Sequence, residues 1–145
     1  MYNSQLIIVL LVGAAFLTTK KVRGLRNNNP LNIKFSPSNN FIGQIGQDSK
    51  GFAVFSAPVY GLRAAFKVLN TYLNKNINTI ETIVKRFSET DQKYYIQFLS
   101  DKLGITPNTK IDYSMLPNLI HFMSKMETGI YQPMSLVLQA EKMAA

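Results

Sequence analysis

The sequence predicts a mainly helical α+β domain with a small β-hairpin, preceded by one N-terminal transmembrane helix. Three observations predict it. Apolar residues recur at helical spacing over much of the chain after residue 57. Two short runs rich in Phe, Ile and Val flank a turn-rich excursion. Residues 1–19 carry no charged side chain. A length of 145 residues suits one domain with some chain left for an appendage, so residues 1–19 are expected as an anchor and 20–145 as the domain.

The anchor's centre, LIIVLLVGAAFL, is almost wholly apolar. As a helix the whole stretch reaches about 28 Å, enough to span a hydrocarbon core. Its positive charge comes after rather than before the apolar run, at Lys20, Lys21, Arg23 and Arg26. That order favours an uncleaved anchor over a signal peptide and places the domain on the cytoplasmic side. NIKF (Asn32–Phe35) and FAVFS (Phe52–Ser56) are expected strands, and SPSNNFIGQIGQDSKG between them has the Gly, Asn, Ser and Asp density of a hairpin excursion. Pro58 opens a helix whose buried stripe is Leu62, Ala65, Phe66, Leu69, Tyr72 and Leu73, with Arg63, Lys67, Asn70 and Asn74 on its wet side. Further helices are expected over Thr79–Phe87, over Asp91–Leu103 with Gly104 as its stop, from a cap near Ser114 with Pro117 in the first turn, and from Pro133 to about Met143.

The helix that begins near Ser114 ends in KMETGIY and carries the chain's oddest residue. Leu116, Ile120, Met123 and Glu127 fall on one stripe, whereas Asn118, His121, Ser124, Lys125 and Thr128 fall opposite. Glu127 therefore projects into an apolar face, where desolvation raises a carboxyl pKa. The competing reading is a helix that frays at Thr128-Gly129 and turns Glu127 to water.

Composition removes several chemistries. The chain has no Cys and one His, which excludes disulfides, Cys nucleophiles and His clusters, and His121 lies on the polar side of its helix. Neither a metal site nor a cofactor is expected, since no zinc spacing, phosphate-binding glycine loop or dinucleotide fingerprint is present. A net charge of +8 favours anionic partners, but the basic residues after Lys20 are scattered, so nucleic acid is not expected as a partner.

Three stretches, RGLRNNNPLNIKF, GQIGQDSKGFAVFSAPVYGLRAAFKVL and METGIYQP, resemble the small lysozyme-like peptidoglycan hydrolases of bacteriophages. Together they cover nearly everything from Arg23 to Pro133. In glucosaminidases and lytic transglycosylases of that superfamily the catalytic Glu closes an early helix. Here the matching Glu127-Thr128-Gly129 comes last, so the resemblance implies a circularly permuted lysozyme-like fold. This chain departs from the pattern with Leu31 where relatives have Gly, Phe41 where they have Trp, and Met126 where they have His.

The resemblance implies glycan-strand cleavage with Glu127 as general acid and base. A free carboxyl near pKa 4.3 is ionised at neutral pH, so an apolar seat that lifts it by a couple of units is what such chemistry needs. A paired-carboxylate mechanism needs a second acid about 5 to 9 Å away. Asp48 in the hairpin loop is the best-placed candidate, with turn stabilisation as its equal alternative. Without a partner, a transglycosylase route remains. Asn29, Asn32, Tyr131 and Gln132 are the expected substrate contacts.

The expected partners are peptidoglycan, a lipid membrane held through the N-terminal helix, and capsid proteins. The expected place is single-pass in the internal membrane of a phage virion. The alternative is a non-catalytic virion membrane protein of lysozyme-like shape that attaches capsid to membrane or binds cell wall.

Overall fold

The computed structural model describes residues 21–145. Among these, six α-helices and one two-stranded antiparallel sheet occur in the order α1 (Arg23–Arg26), β1 (Gln44–Gln47), β2 (Ala53–Phe55), α2 (Pro58–Asn74), α3 (Ile80–Phe87), α4 (Gln92–Leu103), α5 (Leu116–Thr128) and α6 (Met134–Ala144). A 3-10 turn at Tyr113–Met115 leads into α5. The expected class, α+β and mostly helical, is the observed one. The expected anchor at 1–19 lies outside the described residues, among which no helix is long and apolar enough to cross a membrane.

Local sequence accounts for the helix boundaries. Thr79 caps α3 through a reciprocal box with Thr82: the Thr79 hydroxyl accepts from the Thr82 amide while the Thr82 hydroxyl accepts from the Thr79 amide, both at 3.1 Å. Gly104 ends α4 in the left-handed conformation, as its sequence position suggests. Ser114, expected as the cap, lies inside the 3-10 turn, which Asp112 caps by accepting from the Ser114 amide at 2.9 Å; α5 itself starts after Met115 with no side-chain cap. Helix α1 had no expected counterpart: four residues that include a glycine carry no periodicity to read.

The sheet corrects one expected strand. NIKF makes only an isolated bridge, Lys34 with Phe52, and β2 pairs instead with Gln44–Gln47 inside the expected loop. Asn32 has φ of 52°, a left-handed turn that ends any extended run at its start. Strand β1 carries an irregularity between Gln44 and Gly46 that leaves Ile45 exposed.

Helix α2 is the spine. It packs against α6, α5 and β2, while α5 also contacts α4 and α1. Leu62, Phe66, Leu69, Leu116, Leu119, Ile120, Met123 and Val137 are fully buried at this junction. Tyr72 and Leu73, expected in the stripe, are only partly covered, and Ala64 is buried because α6 covers that side too. Arg63, expected wet, donates from Nε to the Met143 carbonyl at 3.0 Å and so satisfies the end of α6.

Candidate active site

The asparagine turn after α1 is what fastens the sheet to the helices. Asn29 is fully buried: its amide nitrogen donates to the Ile33 and Ala53 carbonyls, and its Oδ1 accepts from the Ile33 amide, all at 2.9 Å. Those three bonds and its full burial make Asn29, an expected substrate contact, a clamp between its own turn and β2. Asn28 donates to the Phe55 carbonyl at 2.9 Å, and Asn27 donates to Asp48 Oδ2 at 2.9 Å.

Asp48 likewise serves the turn. Its Oδ1 accepts from the Lys50 and Phe52 amides at 2.9 and 3.0 Å, and Arg23 lies 3.7 Å from its Oδ2. The Phe52 amide, then the Asn27 amide, hold its carboxyl below the usual range. It opens onto a small basic depression formed with Lys21, Arg26 and Lys50, whereas Glu127 lines a different groove. The geometry gives Asp48, the expected second carboxylate, a turn-stabilising role and a place outside the groove that Glu127 lines. Asp48→Ala is therefore expected to lower the melting temperature at neutral pH, which thermal denaturation measures. The stability that Asp48 contributes is present above its unfolded pKa and fades as pH falls through the lower folded value.

Glu127 sits in the last turn of α5 and does not fray into water. Gly129 comes next in the left-handed conformation, with φ of 79°, and its amide closes onto the Lys125 carbonyl at 2.9 Å. A close approach fixes this end against α1: a Cβ on Gly24 would lie 2.6 Å from Thr128 Cγ2. Asn32 reaches across from the opposite segment, its amide 3.3 Å from the Glu127 carbonyl oxygen. Asn32 Oδ1 is buried and unpartnered, on the side of Gly24.

Burial pushes the Glu127 carboxyl from the ordinary 4.5 to about 7, against a smaller opposing hydrogen bond from Asn32. The negative end of the α5 dipole works in the same direction as burial. Tyr95 of α4 is buried nearby. Its unpartnered hydroxyl is pushed well above the usual phenol range by desolvation and then by the charge of Glu127. It stays a neutral O–H.

A surface groove of about 720 Å³ runs past the acid. Glu127 and Asn32 line it, with Arg23, Phe41 and Phe52 on the sheet side and α2 on the other. Arg23 lies over the Phe52 ring at 4.1 Å. The groove's remaining carboxylate, Glu89, is exposed and pairs with Lys34 at 3.7 Å. Arg23 and Tyr95 were missed from sequence. Arg23 reads there as one of the basic cluster after the expected anchor, and Tyr95 as one residue of the expected Asp91–Leu103 helix.

Tyr131 and Gln132 are not among the groove's lining residues. Gln132 is buried, its amide donating to Ser124 Oγ at 2.9 Å and its carbonyl accepting from His121 Nδ1 at 2.7 Å. Tyr131 stacks on His121 at 4.9 Å between ring centroids. The two residues lock the α5–α6 connection, and His121 and Ser124, expected on the polar side of the helix, belong to that lock. Thr128 is buried as well, with its hydroxyl donating to the Ser124 carbonyl at 2.8 Å.

No family model matches this chain. Over 128 residues it is 38% identical to Protein P5 of Pseudoalteromonas phage PM2, with 81% of this chain and 80% of that protein covered.

Proposed function

The chain belongs to the family of Protein P5 of Pseudoalteromonas phage PM2, and from that premise we propose that it is a bacteriophage enzyme that cleaves the glycan strand of peptidoglycan. The observation that carries the reading is an acid poised near pH 7 in the wall of an open groove. Its expected lysozyme-like ancestry and membrane anchor belong to the same proposal.

Glu127 protonates the glycosidic oxygen as the bond from that oxygen to C1 breaks. With Asp48 occupied by its turn and Glu89 by Lys34, the groove offers no well-placed second carboxylate among the described residues. That leaves the single-acid route. The Glu127 carboxylate takes the proton of the sugar's own 6-hydroxyl as O6 closes on C1, which regenerates the acid and consumes no water. The Asn32 amide, aimed at the end of α5, holds the acid's position.

Digestion of purified sacculi, with the products weighed by mass spectrometry, tests the route. Products lighter by one water than the hydrolytic fragments are expected. Products of full hydrolytic mass would replace the transglycosylase with a hydrolase. No release of glycan by folded protein would favour the attachment or wall-binding role instead. In infection, we place the protein in the virion membrane, and its absence from purified particles would overturn that placement.

A further inference from the structure

We propose that the groove is built for glycan strands that still carry their acidic peptide stems, which it recognises through uncompensated cations on α2 and α3. This rests on the glycan-cleaving reading and names the substrate form that the same site takes.

The groove's charge is lopsided. Arg23, Lys34, Lys67, Lys75 and Arg86 line it, against Glu89 and Glu127. Two of the cations are answered, Arg23 by Asp48 and Lys34 by Glu89, each at 3.7 Å. Lys67, Lys75 and Arg86 have no ion-pair partner among the described residues. Lys67, Thr71 and Lys75 fall four residues apart on α2 and its C-cap and so share one face, with the two lysines about 12 Å apart along the axis. Arg86 comes from α3, where its charge acts on the Tyr72 hydroxyl.

Nothing in the fold calls for the Lys67 and Lys75 stripe. Cations gathered on one wall repel each other, and the helices hold together through the apolar junction on their other side. A neutral polysaccharide gains little from them either. The sugars of peptidoglycan are uncharged once N-acetylated, and the strand's carboxylates sit on the peptides borne by its lactyl groups. A stripe two helical turns long matches the scale of one disaccharide repeat. It would meet carboxylates that leave the strand beside the scissile bond, and the Arg86 fork suits a carboxylate in particular. A nucleic-acid backbone is the poorer fit, because a duplex carries one charge per about 1.7 Å and the stripe offers three separated cations.

The test uses full-length Glu127→Gln, which holds substrate without turning it over, and measures retention on three supports. These are peptide-bearing sacculi, strands whose stems an amidase has removed, and double-stranded DNA. Retention is expected to be about tenfold stronger on peptide-bearing strands than on stripped ones and to weaken as salt rises. Adding Lys67→Glu and Lys75→Glu is expected to erase that difference. The milder Lys67→Gln, Lys75→Gln and Arg86→Gln set, checked for an unchanged melting curve, reads the same effect should charge reversal unfold the chain. Equal retention on stripped strands, indifference to the lysine substitutions, or DNA displacing the protein from sacculi would each overturn the proposal. Because retention needs no turnover, a wild-type protein inert on every glycan would remove the catalytic reading while stem recognition is judged on its own.

Discussion

Glu127→Gln is expected to abolish glycan cleavage, with release of soluble fragments falling by about a thousandfold. The amide keeps the size and most of the hydrogen-bonding shape of the carboxyl but has no proton to give to a leaving oxygen. Nothing nearby can replace it. Asp48 accepts two backbone amides of its own turn, Glu89 is exposed beside Lys34, and Tyr95 holds its proton too tightly to act as a strong acid. The wild type adds a second readout. Its rate should fall as pH rises through about 7, the value at which Glu127 ionises in the folded protein. Release of reducing ends or turbidity loss from sacculi measures both. Full lytic speed in Glu127→Gln, or a rate flat from about pH 5 to 9, would remove the residue from the chemistry.

Glu127 was legible in the sequence while its supposed neighbours were not, and the reason is geometric. A helix repeats every 3.6 residues, so a carboxylate in register with Leu116, Ile120 and Met123 declares its face without tertiary information. Tyr131 and Gln132 are close to it only along the chain. The left-handed turn at Gly129 redirects the backbone, and Ser124 and His121 then gather Tyr131 and Gln132 onto another side of α5. Asn29 and Asn32 look alike in sequence, since an amide serves a turn or a ligand equally well. Only the pairing of Asn29 with Ile33 and Ala53 separates the buried clamp from the residue that faces Glu127.

The same logic covers the sheet. β2 is readable because Ala53 and Phe55 alternate inward with a half-covered Val54 between them, whereas β1 is a run of Gln and Gly around one exposed Ile that acquires strand geometry from its partner. Helices with their own caps, such as α3, are nearly complete in the sequence. Groove walls assembled from α1, α2, the α3–α4 connection and the end of α5 are not, because no local pattern records which distant faces meet.

A protein that holds a carboxyl protonated in a greasy wall is expected to be less stable for it at neutral and alkaline pH, and Glu127→Gln should expose the amount. In the unfolded chain the group ionises near its ordinary 4.5, and in the fold it waits until about 7. Between these values the native state keeps a proton that the unfolded state releases, so native stability drops as pH climbs. The contribution is whole below 4.5 and gone once pH has passed 7. The span corresponds to about 3 kcal/mol, and for a domain of this size to roughly 10 °C in melting temperature. Glutamine has no such dependence. The melting temperature of Glu127→Gln minus that of the wild type should therefore widen steadily from about pH 4.5 to about pH 8, with the variant the more stable at the upper end. Taking the difference cancels the contributions of Asp48 and every other group common to both chains. Differential scanning calorimetry of the two full-length proteins measures it. A gap that does not change with pH would mean that Glu127 ionises as freely in the fold as out of it. A gap that opens as expected, in a variant that no longer cleaves glycan, would show stability given up at the one position where the chemistry needs an acid.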